Sequence, residues 1–238
     1  HSLDRRQRQM CIRDSLWADD LILLSLDKIT AQNQLNALGE FCSKWGIEIN
    51  ELKTQVVIFQ KESPSHVNES FLLNGKPLEI VESYCYLGIS LHYSGSVSIA
   101  QTSLKTKAMR AFFGLKRTVI RSKLSFKALI TLFDSLIKPI VLYGAPIWAP
   151  DSTIWSTIAK CFDPGKNASH NLLKKISCSI QEKVHLSFLK WALGTHRKAA
   201  NVGVWGESGR YPLIFESIRL CLNYVKRLEK LDSTSLAV

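Results

Sequence analysis

Residues 17–25 read Trp17-Ala18-Asp19-Asp20-Leu21-Ile22-Leu23-Leu24-Ser25. Two adjacent carboxylates are enclosed by apolar sequence, and burying an unpaired carboxylate in apolar surroundings costs several kcal/mol. Two local structures avoid that cost. A helix N-cap before Leu21–Ser25 would use one side chain as an acceptor. A β-hairpin with the polar pair at its turn would project both into water or toward a metal. The dipeptide alone fits the N-cap better. In the hairpin the pair suits Mg²⁺, which prefers carboxylate and phosphate oxygens. Two such ions about 3.5–4 Å apart can activate an attacking hydroxyl and stabilise the leaving oxygen of a phosphoryl transfer.

Working outward, residues 28–45 carry Ile29, Leu35, Leu38, Phe41, Cys42 and Trp45 at near-helical spacing, with Gly46 placed as a C-cap. Ile47 with Ile49, and then Val56–Phe59, read as two strands joined through Asn50–Thr54. Residues 71–93 read as short strands, with Asn74-Gly75 as a tight turn and Tyr84, Tyr86, Leu87, Ile89 and Leu91 as β-prone residues. After Gly95 the pattern turns helical. Leu104, Ala108, Phe112, Leu115 and Val119 share one face, which predicts a helix over 98–119. A second helix over 125–137 must bend or stop near Pro139, and Pro146 and Pro150 bracket a loop. Helices are expected near 152–162, 169–177, 181–193 and 213–231, with a glycine-rich connection from Gly194 to Pro212. The first 15 residues lack periodicity and the chain opens on His1, which reads as a tail or foreign sequence on a fragment.

The 238 residues are 46% hydrophobic, a globular composition with no apolar run near the roughly 20 residues of a membrane span. Charge is unevenly spread. Residues 1–100 hold 9 basic and 12 acidic side chains, whereas 101–238 hold 22 basic and 8 acidic. Between Lys105 and Lys127 there are eight basic residues and no acidic one. Such a second half suits either a polyanionic partner or a solvated, charge-stabilised surface. Arg110, Arg117 and Arg121 fall at i, i+7 and i+11, in one seam of the expected helix, with Lys116 and Lys123 beside them. His196, Arg197, Lys198 and Arg210 form a second basic group among Trp191, Trp205 and Tyr211. Aromatics among cations can stack on unpaired bases, although core packing suits the tryptophans better.

Six cysteines without a CxxC pair read as reduced thiols of an intracellular protein. A zinc site from Cys161, Cys178, His185 and His196 matches no compact zinc module, and buried small hydrophobes are the plainer reading.

Residues 17–25 resemble the catalytic hairpin of reverse transcriptases, an aromatic-x-Asp-Asp followed by apolar residues. Further resemblances follow in the family's order. Gly46-Ile47 through Asn50, Lys53-Thr54 and Val56–Phe59 resemble the next palm motif. Tyr86-Leu87-Gly88-Ile89 resembles the strand that supports the primer end. Leu142-Tyr143-Gly144-Ala145-Pro146-Ile147-Trp148 resembles a segment of non-LTR (LINE-type) retrotransposon reverse transcriptases. Phe188–Gly194, Asn201 and Glu207–Leu213 resemble the segment after the thumb in such elements. The resemblance covers about residues 16–230.

It implies an α+β fold. A partial polymerase palm (β-hairpin, helix, short antiparallel strands) over 16–95 would precede a mostly helical thumb over 96–150 and a helical C-terminal extension over 151–238. It also implies that Asp19 and Asp20 are catalytic, metal-binding carboxylates for Mg²⁺ or Mn²⁺, and that Lys53 sits near the leaving pyrophosphate. Trp17, where the family has Tyr or Phe, would support the primer end with Tyr86, Leu87 and Gly88. Lys105, Lys107, Arg110, Lys116, Arg117, Arg121 and Lys123 would hold nucleic-acid phosphates. The partners implied are an RNA template, a DNA primer and deoxynucleoside triphosphates, in an intracellular protein of nucleus and cytoplasm with no membrane. The family's third metal-binding Asp and its triphosphate-binding fingers precede the position of residue 16. The isolated chain is therefore expected to be inactive, because positioning and electrostatics dominate this chemistry. The rival readings are a non-catalytic nucleic-acid-binding module over 97–238 and a degenerate transposon remnant.

Overall fold

A computed structural model describes residues 14–17, 20–61, 70–119, 124–148 and 169–230. The chain divides into two compact units. One holds the residues up to Cys85 together with His92–Gly95, and the other holds Tyr86–Leu91 and everything from Ser96 onward.

In the first unit, β1 (Asp14–Trp17) and β2 (Asp20–Leu23) pair antiparallel with Trp17 opposite Asp20. Leu21–Leu23 are thus extended, which removes the helix N-cap reading of the acidic pair. The cap falls instead on Asp27, whose carboxylate accepts from Thr30 N–H at 2.8 Å and opens α1 (Lys28–Trp45). Gly46 closes α1 in the left-handed region at φ 65°. Leu35, Gly39 and Cys42 are the buried face of α1, whereas Ile29, Phe41 and Trp45 stay exposed. Leu35 packs with Phe71, Leu73 and Leu78 from the short hairpin of β4 (Leu72–Leu73) and β5 (Lys76–Pro77), turned by Asn74-Gly75.

Of the two strands expected at 47–49 and 56–59, the structure forms one short piece. This is β3 (Gln55–Val56), paired parallel with β6 (Glu79–Ile80). The continuous β-prone run near 84–91 is split. β7 (Ser83–Tyr86) and β8 (Ile89–His92) pair around a turn at Leu87-Gly88.

The second unit is helical, built from α2 (Val97–Val119), α3 (Phe126–Leu132), a π-helical turn (Phe133–Ile137), α4 (Lys138–Val141), α5 (Ala145–Trp148), α6 (Ser169–Cys178), α7 (Ile180–Ala192), α8 (Asn201–Ser208) and α9 (Leu213–Leu228). Ala100, Leu104, Ala108, Phe112 and Val119 are the buried face of α2. An aromatic cluster joins α2 to α7. Phe188 lies 5.4 Å from Phe112 and 4.8 Å from Phe133, centroid to centroid. The boundary expected at residue 150 is therefore not one between compact units, since the helices before and after it share this core.

Pro139 does not stop its helix. Lys138 N–H reaches back five residues to Phe133 C=O, and the wide turn leads into α4 with proline in its first turn, where its missing N–H is tolerated. The expected loop at Pro146 contains α5, and the glycine-rich connection at 194–212 contains α8.

A wholly buried carboxylate, Glu182, ties α7, α8 and α9 together. It accepts from Trp205 Nε1 at 2.8 Å and Leu213 N–H at 2.7 Å, and His185 Nδ1 lies 2.9 Å away. His185 is thereby committed to the core, against Phe133. Cys161 of the conceivable zinc set lies outside the described residues. Among those described, no three His, Cys, Asp or Glu side chains gather as a metal site. Nor is any described helix long and apolar enough to cross a membrane.

Candidate nucleic-acid interface

The carboxylate hairpin is described in part. Asp20 opens β2 and is exposed, and no Lys or Arg forms an ion pair with it among the described residues. Asp19 lies outside the described residues. Trp17 ends β1 opposite Asp20.

Lys53 is exposed at the end of a turn built by Asn50. Asn50 accepts from Lys53 N–H through its side chain at 3.2 Å and through its carbonyl at 3.1 Å. The same carbonyl takes the Thr54 N–H at 3.1 Å and the Thr54 hydroxyl at 2.9 Å. Asn50, Lys53 and Thr54 thus form a self-capped turn that presents the lysine to solvent.

Leu87 and Gly88, expected from the resemblance to support a primer end, lie at a strained reversal. Leu87 and Gly88 both have positive φ, 45° and 83°. A two-residue hairpin turn with both φ positive matches strand twist, but it favours Asn or Gly over a bulky side chain. The second unit holds this turn at both carbonyls. Tyr143 Oη donates to Leu87 C=O at 2.7 Å, and Lys107 Nζ donates to Gly88 C=O at 3.3 Å. Tyr86 is half-buried, Leu87 exposed. Sequence reasoning missed Tyr143 as the anchor, although the Leu142–Trp148 resemblance singled out its segment. Lys107, expected on a phosphate, has its ammonium on the turn.

On α2, Arg110 and Arg117 are exposed, while Lys105 and Lys116 are half-buried. Arg121 and Lys123 lie outside the described residues. Seven residues separate the two arginines, which is nearly two turns and about 10 Å along one side. Phe113 is 50% exposed and stands three residues after Arg110 and four before Arg117, on the same side. It was missed because Phe112, next to it, accounts for the core period alone.

The second basic group does not assemble as expected. Arg210 is bound bidentately by Asp134, with guanidinium nitrogens 3.0 and 2.5 Å from its two oxygens, and Lys138 reaches the same carboxylate at 3.0 Å. Burial opposes ionisation of Asp134. The hydrogen bonds and charges of Arg210 and Lys138 outweigh it and hold the carboxyl below its ordinary range. Trp205 is core, bonded to Glu182, and Trp191 packs on Phe112 at 5.5 Å. Tyr211 alone of the three aromatics stays open, 83% exposed. His196, Arg197 and Lys198 are exposed.

Comparison with known proteins finds similarity in sequence alone. No family model matches the chain, and no solved structure matches it. A putative uncharacterized transposon-derived protein of Caenorhabditis elegans is 32% identical over 132 residues. The putative 115 kDa protein of a type-1 retrotransposable element of Drosophila melanogaster is 27% identical over 140 residues. Each alignment covers 56% of this chain, but 47% of the first relative and 14% of the second. The chain thus spans less than half of the curated relatives it matches. These similarities mark it as retrotransposon-related.

Proposed function

We propose that the chain is the C-terminal part of a reverse transcriptase of a non-LTR retrotransposon, and that α2 holds the backbone of a template–primer duplex. The observation that carries this reading is the exposed side of α2. Arg110 and Arg117 stand two turns apart on a rigid helix whose opposite face is core. No acidic residue occurs between Glu82 and Asp134 to neutralise them locally. Cations so spaced can follow phosphates without reading bases. The retrotransposon relative and the motif order support the polymerase class.

In this reading the turn at Leu87-Gly88 supports the primer end, and its non-glycine positive φ is the kind of strain that functional positions retain. Asp19 and Asp20 would hold Mg²⁺ or Mn²⁺ together with a carboxylate ahead of residue 16. Exposed Asp20, unpaired with any cation among the described residues, suits a hard divalent ion. The bound ion would supply charge stabilisation at the reacting phosphate. In this reading the family's third carboxylate completes the metal site, and catalysis requires it. Purified chain should extend no primer, and extension that Asp19→Ala abolishes would overturn that expectation.

Filter binding of the full chain to RNA–DNA hybrids of unrelated sequence tests the reading, at about 50 and 200 mM salt. Sequence-independent binding that weakens steeply with salt supports it. Absence of binding at the lower salt overturns it.

A further inference from the structure

We propose that a second site, at the start of α9, binds an unpaired nucleotide of single-stranded RNA or DNA, with the base stacked on Tyr211. The site lies wholly within the second unit and does not depend on the polymerase reading. Its centre is a cleft of about 330 Å³, at the lower end of the roughly 300–1,000 Å³ of small-ligand sites, lined by Lys138, Arg210, Tyr211, Phe215, Glu216 and Arg219 among others.

Tyr211 is 83% exposed and Phe215 50% exposed, and their rings meet edge to face at 6.5 Å. The backbone on both sides of Tyr211 is pinned. Arg210 N–H bonds Trp205 C=O at 3.2 Å, and Leu213 N–H bonds buried Glu182 at 2.7 Å. Pro212, between them, is buried. The phenol is thus held out by a rigid frame while Trp205 nearby is taken into the core. A ring so presented offers a face to a flat partner at little ordering cost.

The cations around it are pre-aimed. Asp134 holds Arg210 through two nitrogens, and Glu216 holds Arg219 through Nε and one terminal nitrogen, at 2.9 and 2.6 Å. A guanidinium has five N–H donors, so each keeps donors for a second anion. Lys138, Arg210 and Arg219 face Asp134 and Glu216, leaving one net positive charge in the cleft. That excess is small beside the bare arginines of α2. Charge alone would not hold a phosphate backbone here, so recognition must draw on the aromatic face. In a duplex the base faces are already stacked, which is why the geometry selects an unpaired nucleotide.

The test uses the full chain, with labelled single-stranded oligoadenylate of about ten nucleotides and an RNA–DNA hybrid of equal length, within the footprint range of single-strand binders. Tyr211→Ala with Phe215→Ala should weaken single-strand binding about tenfold or more and change hybrid binding by less than about twofold. Tyr211→Trp, in the otherwise unchanged chain, should retain single-strand binding. Tyr211→Ala alone, at a side chain that contributes little to the core, repeats the test if the double variant melts early. Adenosine 5′-monophosphate should compete only weakly, because it offers a single base and phosphate without the neighbouring nucleotides of a strand. The proposal is overturned if the chain does not bind the single strand, or if Tyr211→Ala leaves that binding unchanged. It is also overturned if single strand and hybrid weaken alike, or if the free nucleotide binds as tightly as the strand. None of these outcomes bears on Arg110 and Arg117, which the hybrid reports separately.

Discussion

The hydroxyl of Tyr143 donates to the carbonyl of Leu87 at 2.7 Å, across 56 residues of sequence. The bond joins two segments that sequence reading had singled out for separate reasons. It also clamps a turn whose leucine occupies a conformation that bulky side chains avoid. Tyr143→Phe removes the donor and keeps the ring. It should cost about 0.5–1.5 kcal/mol. Hydrogen exchange should quicken at residues 86–91 while α7 stays protected. Unchanged exchange at the turn would show that Lys107 and strand pairing suffice.

Gly144, beside that tyrosine, has φ 66°, and a β-carbon there would meet the Ile89 side chain at 2.6 Å. Gly144→Ala should therefore destabilise by about 1–2 kcal/mol from the left-handed backbone, plus whatever the displaced isoleucine adds. Thermal melting reads it, at about 2–4 °C per kcal/mol for a chain of this size. A melting temperature equal to that of the unmutated chain would contradict the tight approach.

Glu182→Ala should be far more damaging. It strands the indole N–H of Trp205 and the backbone N–H of Leu213 in the core and leaves His185 without its partner. Each buried donor left unsatisfied costs about 1–3 kcal/mol, and at least two are stranded together. Loss of cooperative melting, or a drop several times that of Tyr143→Phe, is expected. A mild effect would mean that water reaches the cluster.

Acid should loosen the contact between Asp134 and Arg210. The carboxyl of Asp134 is held below its ordinary 3.8, so it binds fewer protons folded than unfolded near that pH. Its stabilisation is complete above about 4 and is lost as pH falls through the lowered value. Glu216, lowered from 4.5 chiefly by its hydrogen bond from Arg219, acts in the same direction. Asp134→Asn should lower the melting temperature at neutral pH, and the difference should shrink as pH falls below the ordinary 3.8. A constant difference across that range would contradict the pairing.

Where the sequence was legible, one physical signal dominated. The apolar period of 97–119, and the near-helical spacing of 28–45 with Gly46 after it, yielded α2 and α1, because core burial and C-capping are local in sequence; the Asp27 N-cap was not read. Where it was not, a distant partner decided. Gly203 and Gly206 argue against α8, yet burial of Val204 and the bond from Trp205 to Glu182 hold it. Arg210 reads as a free cation until Asp134, 76 residues earlier, closes on it. Lys107 belongs to the cationic run by sequence and to the Gly88 carbonyl by geometry. Asp20 was readable as an exposed residue at a hairpin because apolar runs flank it on both sides.

The most direct measurement is the salt dependence of template–primer binding by the chain carrying Arg110→Ala and Arg117→Ala. Each phosphate neutralised contributes about 0.9 to the slope on duplex DNA, so the pair should account for about 1.8. The expected result is weaker binding to duplexes of unrelated sequence and a flatter slope. The melting temperature should hold, since neither arginine lies on the buried face of α2. Unchanged affinity and slope in the double variant would contradict the assignment of α2 as the backbone-binding element.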